Sequence, residues 1–388
     1  MSRRPLRYLV AGLALTLALA LVGGAHLYVA RRLVIDPGLG EPLRGLALGA
    51  IALLGASLVL FPVAERTLAL AWVRRLAWPP LVWMGVLFFT LNLLLLSDAV
   101  LWLMGAASES PEQATAALRL RALAVVGLTA AATGVAVRSA LAGPEVRRVE
   151  VVLERLPRAL DGFRIVQLSD VHIGPLLGRD FAAGVVERVA RLDPDLVVIT
   201  GDLVDGSVAH LGGEVAPFAG LSARHGAFFV TGNHDHYAGA DPWVARVAEL
   251  GIVPLRNRRV VIGEGAASFD LAGVDDYRGD WVRGSPQDLD AALGGRDPDR
   301  AVVLLAHDPS TFPAAAARDV DLQLSGHTHG GQIWPFRHLV RLAVPFVDGL
   351  HRRGQSQLYV SRGTGFWGPP LRLFAPAEIT EIRLRAPA

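Results

Sequence analysis

The chain has 388 residues, of which 52% are hydrophobic and only 19% charged, a composition too apolar for an ordinary soluble protein. Its formal net charge is +2, its basic residues are all arginine, and it contains no cysteine. This composition excludes disulfides, thiolate catalysis and cysteine-ligated metals, and because no run of arginines is interleaved with aromatic residues, we expect no nucleic-acid partner.

Four apolar stretches lie in the first part of the chain, at residues 8–30, 45–64, 80–106 and 122–141. Each approaches the roughly 20 residues that a helix needs to cross the hydrocarbon core of a bilayer. We therefore expect residues 1–146 to form an all-α transmembrane bundle of about four helices, with the lipid bilayer as a partner. A second domain should occupy residues 147–388.

Two of these stretches have another interpretation. Residues 8–30 could be a cleaved signal peptide, but the apolar run is long and has no clear cleavage site of small residues. Residues 122–141 are rich in alanine and could form a soluble amphipathic helix.

Asp98, the one charge in the third stretch, would suit a transport or proton-relay role. We favour the simpler interpretation, in which it lies near an interface or pairs with a neighbouring helix.

The arginines near the predicted spans indicate an orientation. Four spans place both chain ends on one side, whose ends and loops carry Arg3, Arg4, Arg7, Arg66, Arg74, Arg75, Arg147 and Arg148. The opposite loops carry Arg31, Arg32, Arg44, Arg119 and Arg121. This bias favours cytoplasmic termini. We expect a multi-pass protein of the cell membrane with its second domain in the cytoplasm, although losing one span would reverse that side.

From Arg147 onward, short apolar runs bounded by Gly, Pro and Asp alternate with helical patterns at residues 181–192 and 242–250. The predicted strands are 149–153, 163–168, 196–200, 227–231, 268–272, 301–306, 322–325, 358–361 and 379–384. This alternation is typical of α/β folds.

Five of these strands run directly into polar residues. The five blocks are Ser169-Asp170-Val171-His172, Gly201-Asp202, Gly232-Asn233-His234-Asp235, His307-Asp308-Pro309 and Gly326-His327-Thr328-His329. Ligands of α/β sheets bind at the carboxyl ends of strands, so we expect one converging site. Carboxylate and amide oxygens mixed with imidazoles suit Mn, Fe or Zn rather than Ca. Seven such donors could hold two divalent ions about 3.5–4 Å apart, with room for a bridging hydroxide suited to displacement at phosphorus.

The succession Asp-x-His, Gly-Asp, Gly-Asn-His-Asp, His, Gly-His-Thr-His resembles the calcineurin-like metallophosphoesterases over about residues 163–384. Residues 169–174 and 326–332, with Arg362-Gly363, Pro369, Arg372 and Glu378, are most similar to a bacterial membrane-associated branch. The resemblance implies an α/β domain whose two-sheet β-sandwich is flanked by helices.

The resemblance also implies roles for the polar residues. One metal would be held by Asp170, His172 and His329, the other by Asn233, His307 and His327, and Asp202 would bridge them. His234 would protonate the leaving oxygen or bind the phosphoryl group, and Asp205 would orient it. A carboxylate partner raises the pKa of an imidazole and makes it a better acid near neutral pH.

One departure from the family concerns the residues after Asp205. Serine/threonine protein phosphatases of this fold have Arg-Gly at this place, whereas this chain has Gly206-Ser207. We therefore expect a membrane-anchored hydrolase that attacks a phosphodiester or pyrophosphate, foremost a lipid-linked one, with a metal-bound hydroxide. The alternatives are a broad-specificity phosphatase, a cyclic-nucleotide phosphodiesterase, or a non-catalytic membrane sensor or transporter; the intact donor set with His234 argues against the last.

The remaining candidates have two interpretations each, except Asp308, which should cap the helix near Ser310. Asp235 could partner His234 or turn its loop, and His236 could touch substrate or face solvent. Four aromatic residues could form an apolar rim for a lipid or merely pack the segment 332–355: Trp334, Phe336, Phe366 and Trp367.

Overall fold

The computed structural model describes residues 4–104, 110–276 and 286–387. It forms two compact units, Met1–Val135 and Ala136–Ala388, and each is described by itself. Arg3, used for the orientation, and residues 105 and 106 of the third apolar stretch lie outside the described residues. The domain division expected at residues 146 and 147 stays a prediction.

Long apolar helices make up the described part of the first unit. They are α1 (Arg4–Ala30), which continues into a π-helical turn at Arg31–Ile35, α2 (Leu43–Thr67), α3 (Leu70–Leu103) and α4 (Pro111–Leu141), whose last residues belong to the second unit. In the described chain these four helices are long and apolar enough to cross a membrane, as predicted. Their exposed leucines, such as Leu53 and Leu123, suit a hydrocarbon solvent.

Asp98 in α3 is held by cations from two other helices. Its Oδ2 accepts a hydrogen bond from Tyr28 Oη at 2.6 Å and lies 2.8 Å from Arg32 Nη2 in the turn after α1. Its Oδ1 lies 2.5 Å from Arg121 Nη2 in α4. The structure therefore favours pairing with neighbouring helices over a proton relay for this carboxylate.

The second unit alternates strands with short helices. Its strands are β1 (Glu145–Val152), β2 (Arg164–Leu168), β3 (Leu196–Thr200), β4 (Ala227–Val230), β5 (Val253–Pro254), β6 (Arg258–Glu264), β7 (Ala267–Gly273), β8 (Val302–Leu305), β9 (Leu322–Ser325), β10 (Gly349–Arg353), β11 (Ser356–Val360) and β12 (Glu378–Arg385). Its helices are α5 (Arg179–Ala190), α6 (Val208–Leu211), α7 (Asn233–Ala238), α8 (Ala240–Glu249), α9 (Leu289–Leu293), α10 (Phe312–Ala316) and α11 (Phe336–Ala343).

Among the described residues, these strands form two mixed sheets of six. The first has the order β1-β12-β2-β3-β4-β5, with β2 to β5 parallel; the second has the order β10-β11-β9-β8-β7-β6, with β7, β8 and β9 parallel. The predicted strands are all present within a few residues. The three that were not predicted, β5, β6 and β10, all lie at sheet edges, where strands lack a continuous buried apolar run.

The core lies between the two sheets. Ile165 and Val198 of the first sheet pack with Leu271, Val303 and Leu324 of the second, and all are fully buried. Burial of each such side chain stabilises the fold by about 1.5–3 kcal/mol. This α/β sandwich, with α9 and α10 packed on the outer side of the second sheet, confirms the predicted fold class and brings the carboxyl ends of the parallel strands to one edge.

Candidate metal centre

A first cluster of donors forms where β2 and β9 end. It contains Asp170, His172 and His329, whose ligand atoms lie within 4.8 Å of one another in buried positions. The Nε2 atoms of the two histidines are 3.1 Å apart, and His329 Nε2 lies 3.4 Å from Asp170 Oδ1. These are three of the residues that the sequence grouped around one ion.

A second cluster forms beside it, at the ends of β3, β8 and β9. Asp202, His307 and His327 place their ligand atoms within 4.8 Å of one another, and His307 Nε2 lies 3.1 Å from Asp202 Oδ2. The same Oδ2 lies 3.9 Å from His172 Nε2 of the first cluster. Asp202 therefore lies between the clusters, where a bridging carboxylate is expected.

The hydrogen bonds of the histidines show that the clusters suit cations. His307 Nδ1 lies 2.7 Å from the Thr200 carbonyl and His172 Nδ1 lies 2.8 Å from Asp205 Oδ1. Both partners accept hydrogen bonds, so the neutral tautomers carry their hydrogen on Nδ1 and point the Nε2 lone pair into the clusters. His307 Nε2 and Asn233 Oδ1 are buried without a hydrogen-bond partner in the described structure. A divalent ion would satisfy these converging acceptors.

The electrostatics of the second cluster also favour positive charge. Burial lowers the pKa of His307, but the Asp202 carboxylate outweighs that effect and raises it well above its ordinary value. Burial likewise raises the pKa of Asp202, yet His307 and its neighbours hold it well below its ordinary value. The Asp202 carboxylate is therefore ionised. Only a proton on a neighbouring histidine such as His307 would compete with a metal ion for it.

The backbone at these donors is strained. Five of the seven candidate ligands have positive φ: Asp170 (50°), His172 (51°), Asp202 (52°), His327 (72°) and His329 (52°). For a residue other than glycine this region costs of order 1–3 kcal/mol, and such strain clusters at functional sites. Adjacent glycines make room, because a Cβ at Gly326 would overlap the Asp170 carboxylate and one at Gly232 would overlap that of Asp202.

Asp205 contacts two histidines. Its Oδ1 lies 2.8 Å from His234 Nδ1, as the resemblance implied, and also 2.8 Å from His172 Nδ1, which was not predicted. Burial raises the pKa of Asp205, but the two histidines lower it to about 2. Burial lowers the pKa of His234, but the bond to Asp205 and nearby carboxylates raise it to about 9. At neutral pH both ring nitrogens of His234 therefore carry a proton, and the ring is positively charged.

Three other polar residues near the clusters make hydrogen bonds that hold the loops in place. Asp235 accepts backbone N–H groups of Gly232, Asp202 and Leu203 at 2.8–3.0 Å, which fixes the loops and makes its turn role the correct alternative. Burial and Asp202 raise its pKa to about 7. His236 is buried and lies 3.0 Å from Thr231 Oγ1, so of its two predicted alternatives the solvent-facing position is wrong. Asp308 accepts from the Ser310 N–H at 2.8 Å, which confirms the predicted cap.

Arg372 is a residue near the site whose position the sequence did not indicate. It is fully buried and donates to the carbonyl oxygens of Gly365 and Ala375. Its Nη2 lies 3.3 Å from His329 Nδ1, and burial lowers its pKa to about 10. A lone arginine in a loop has no informative spacing, so only the folded loop shows that this cation lies behind the first cluster.

The four aromatic residues divide between the two alternatives. Trp334, Phe336 and Trp367 are exposed, and the Trp367 ring centroid lies 5.6 Å from that of His234. Phe366 is instead buried with Leu177 and Ala140. A rim beside His234 is therefore available, but Phe366 is not part of it.

Comparison with known proteins finds the family described as calcineurin-like phosphoesterase, which matches residues 163–331. The chain is 39% identical over 297 residues to a bovine transmembrane protein with metallophosphoesterase domain, covering 74% of this chain and 67% of that protein. It is 39% identical to an uncharacterised metallophosphoesterase of Helicobacter pylori, covering 63% and 65%. A third relative, an uncharacterised metallophosphoesterase of Aquifex aeolicus, is 32% identical over 62% of this chain and 91% of its own length. The match thus spans about two thirds of the bovine and Helicobacter proteins.

Proposed function

The chain belongs to the calcineurin-like metallophosphoesterase family, and we propose that it is a membrane-anchored phosphoesterase that hydrolyses a phosphodiester or pyrophosphate. Lipid-linked esters are the leading substrate class, because four membrane-capable helices precede the site in the same chain. We assign the membrane region to residues 1–146, the catalytic domain to residues 147–388, and the catalytic side to the cytoplasm.

The observation that carries the proposal is the position of Asp202 between two clusters of acceptors. We assign one ion to Asp170, His172 and His329, the other to Asn233, His307 and His327, and Asp202 to both. Two divalent ions of Mn, Fe or Zn held there would activate water and neutralise charge on the phosphoryl oxygens.

The protein itself supplies an acid. Asp205 holds His234 through Nδ1, which leaves Nε2 to face the phosphate ester. Because the pKa of His234 is raised to about 9, Nε2 carries a hydrogen at neutral pH and can pass it to the leaving oxygen as the P–O bond breaks. Asp205 keeps this tautomer and stabilises the charged ring.

The substrate class rests on the residues after this carboxylate. Gly206-Ser207 replaces the Arg-Gly of serine/threonine protein phosphatases, which argues against phosphoprotein substrates. A membrane-confined site meets lipid-borne phosphates at far higher local concentration than a free enzyme does, which favours lipid-linked diesters and pyrophosphates.

The test compares three substrates with the purified full chain in lipid nanodiscs. A nucleotide-linked lipid and an aryl phosphodiester should be hydrolysed faster than an aryl phosphomonoester. Activity should vanish on chelation and return with Mn²⁺, and Asp202→Asn should be inactive throughout. Preference for the monoester would establish a broad phosphatase instead. No metal-dependent hydrolysis of any of the three would leave ligand binding without turnover.

A further inference from the structure

Helix α11, with the sequence FRHLVRLA, turns apolar side chains to solvent. None of its residues is buried, and Leu339 and Leu342 are 57% and 85% exposed. At 100° per residue, these leucines share one side of the helix with Val340, while Arg337 and Arg341 lie on the other. Such a helix needs an apolar phase beside it, and its charged side suits the headgroup layer of a membrane.

Two exposed aromatic rings lie next to each other in the segments that precede α11 and follow β11. The Trp334 side chain is 50% exposed and that of Phe374 is 77% exposed, and their ring centroids are 6.4 Å apart. The backbone N–H of Trp334 donates to the Leu373 carbonyl at 3.2 Å. Phe374 has φ 60°, a conformation that a bulky residue adopts only when the surrounding fold enforces it. The fold therefore holds this ring outward instead of letting it collapse onto the domain.

Trp367 joins these side chains to the candidate catalytic residues. Its ring lies 5.6 Å from that of His234. Its backbone is fixed by Gln332, which accepts from the Trp367 N–H at 3.0 Å and donates to the Trp367 carbonyl at 2.8 Å. We call Trp334, Leu339, Leu342, Trp367 and Phe374 the apolar face. Its members lie in α11 and in the two segments that the Gln332–Trp367 and Trp334–Leu373 hydrogen bonds link, and Trp367 lies beside His234.

Charge and chain connectivity identify the occupant of the apolar face. Residues 333–355 contain four arginines (Arg337, Arg341, Arg352 and Arg353) and one acidic residue, Asp348. Apolar side chains beside excess positive charge are the pattern that binds anionic lipid surfaces. The same unit follows a membrane-capable helix in the chain, since β1 begins at Glu145, just after α4 ends at Leu141.

We propose that the apolar face inserts into the headgroup region of an anionic bilayer, with α11 lying in the membrane plane. The face then presents lipid-borne phosphate esters to the metal centre. The insertion is independent of catalysis, whereas the presentation of substrate rests on the proposed function.

Insertion can be measured without any assay of activity. Because the chain contains no cysteine, Leu342→Cys introduces a single thiol that takes a nitroxide label. Val261→Cys, on the edge strand β6 and 51% exposed, is the matched control. The labelled full chain is placed in vesicles of phosphatidylcholine and phosphatidylglycerol. Oxygen dissolved in the bilayer should speed the spin relaxation of the nitroxide at residue 342, whereas a water-soluble nickel chelate should not reach it. The label at residue 261 should be reached by the chelate.

Two results would overturn the insertion. Equal access of the nickel chelate to residues 342 and 261 would show that the face stays in water. Shielding of residue 342 from both oxygen and chelate, with dipolar broadening between labels, would show that a second copy of the chain covers it instead.

Presentation of substrate is tested with the double variant Leu339→Glu/Leu342→Glu, and with Val261→Glu as its control. Hydrolysis of a phosphodiester lipid in the same vesicles should fall about tenfold or more in the double variant, since the charges oppose insertion. Hydrolysis of a soluble aryl phosphodiester should stay within about twofold, which also verifies folding. If wild type cleaves neither substrate, the proposed function fails while the label still decides insertion. If both variants cleave the lipid at the wild-type rate, the presentation role is refuted.

Discussion

At the residue scale, Asp205 connects two groups that the sequence treated separately. One carboxylate oxygen contacts both His172, a candidate metal ligand, and His234, the candidate acid. Since a carboxylate fixes the tautomer of each imidazole, a single side chain orients both the candidate metal ligand and the candidate acid. Replacement of Asp205 should therefore affect metal affinity and proton transfer together.

The pH dependence of hydrolysis tests this carboxylate. The pKa of His234 is raised to about 9, so its acid form dominates below that pH and activity on a poor leaving group should fall as pH rises through it. Asp205→Asn removes the carboxylate that raises this pKa. The alkaline limb of the kcat profile should move to lower pH, measured with an alkyl phosphodiester. An alkaline limb at the same pH in both proteins would mean that His234 is not the acid.

The leaving group gives a second test of His234. A general acid contributes roughly 10²–10⁴-fold and matters most when the leaving group is poor. His234→Ala should therefore slow an alkyl ester by that amount and a nitrophenyl ester far less, with unchanged metal content. Equal slowing of both esters would assign His234 to positioning the phosphoryl group.

Metal content tests whether Asp202 is shared between two ions. Asp202 lies at both clusters, whereas Asp170 lies at one. Elemental analysis of the purified wild type should find close to two transition-metal ions per chain. Asp202→Asn should lose most of both, and Asp170→Asn chiefly one. Wild-type activity of either variant in metal-depleted buffer would contradict the two-metal assignment.

At the level of helices and strands, the loops after the parallel strands carry the candidate site, and three strands at sheet edges, β5, β6 and β10, were not predicted. Left-handed backbone at the donors is tolerated because buried strands such as β3 and β9, with every residue buried, fix the start of these loops. In the first unit, Asp98 has the corresponding fixing role, since it joins α1, α3 and α4 through Tyr28, Arg32 and Arg121.

Removal of Asp98 should loosen the helices of the first unit. Asp98→Ala leaves Arg32 and Arg121 without this carboxylate. Breaking a buried ion pair lowers the free energy of unfolding by roughly 3–5 kcal/mol, and because these side chains are partly exposed we expect a smaller loss, of order 1–3 kcal/mol. The melting temperature in detergent should fall, while hydrolysis of a soluble ester before melting stays unchanged. Arg31→Ala is the control, because the Arg31 side chain is 71% exposed in its pair with Asp36 and an exposed partner makes such a pair worth little. Equal melting of the two variants would assign no stabilising role to Asp98.

At the scale of the whole molecule, the side on which the site faces decides which lipids it can meet. The arginine bias predicts that both ends lie in the cytoplasm. A reporter that fluoresces only in the cytoplasm should therefore be bright when fused after Ala388. A reporter that works only after export should be active in the loop near Glu109, which lies outside the described residues. The opposite pattern would show that one helix does not cross, and would move the substrate class toward lipids of the cell envelope.

The amino-acid sequence alone was enough to predict the four membrane-capable helices, the central strands and the order of the polar motifs. These features are local. A run of about 20 apolar residues, a fully buried strand such as β8, or an aspartate directly after a strand is visible without knowledge of distant contacts. Family membership followed from these blocks and was confirmed by the relatives.

Which side chains face one another depends on the folded arrangement of the loops. Phe366 and Trp367 are neighbours in the chain, yet the first is buried with Leu177 while the second lies exposed beside His234. The burial of Arg372 behind His329 and the contact of Asp205 with His172 likewise join residues 43 and 33 positions apart. Such contacts arise when loops from different strands pack at one edge of the sandwich. The local sequence of a loop does not show which of its side chains are buried, because the residues that cover them come from elsewhere in the chain.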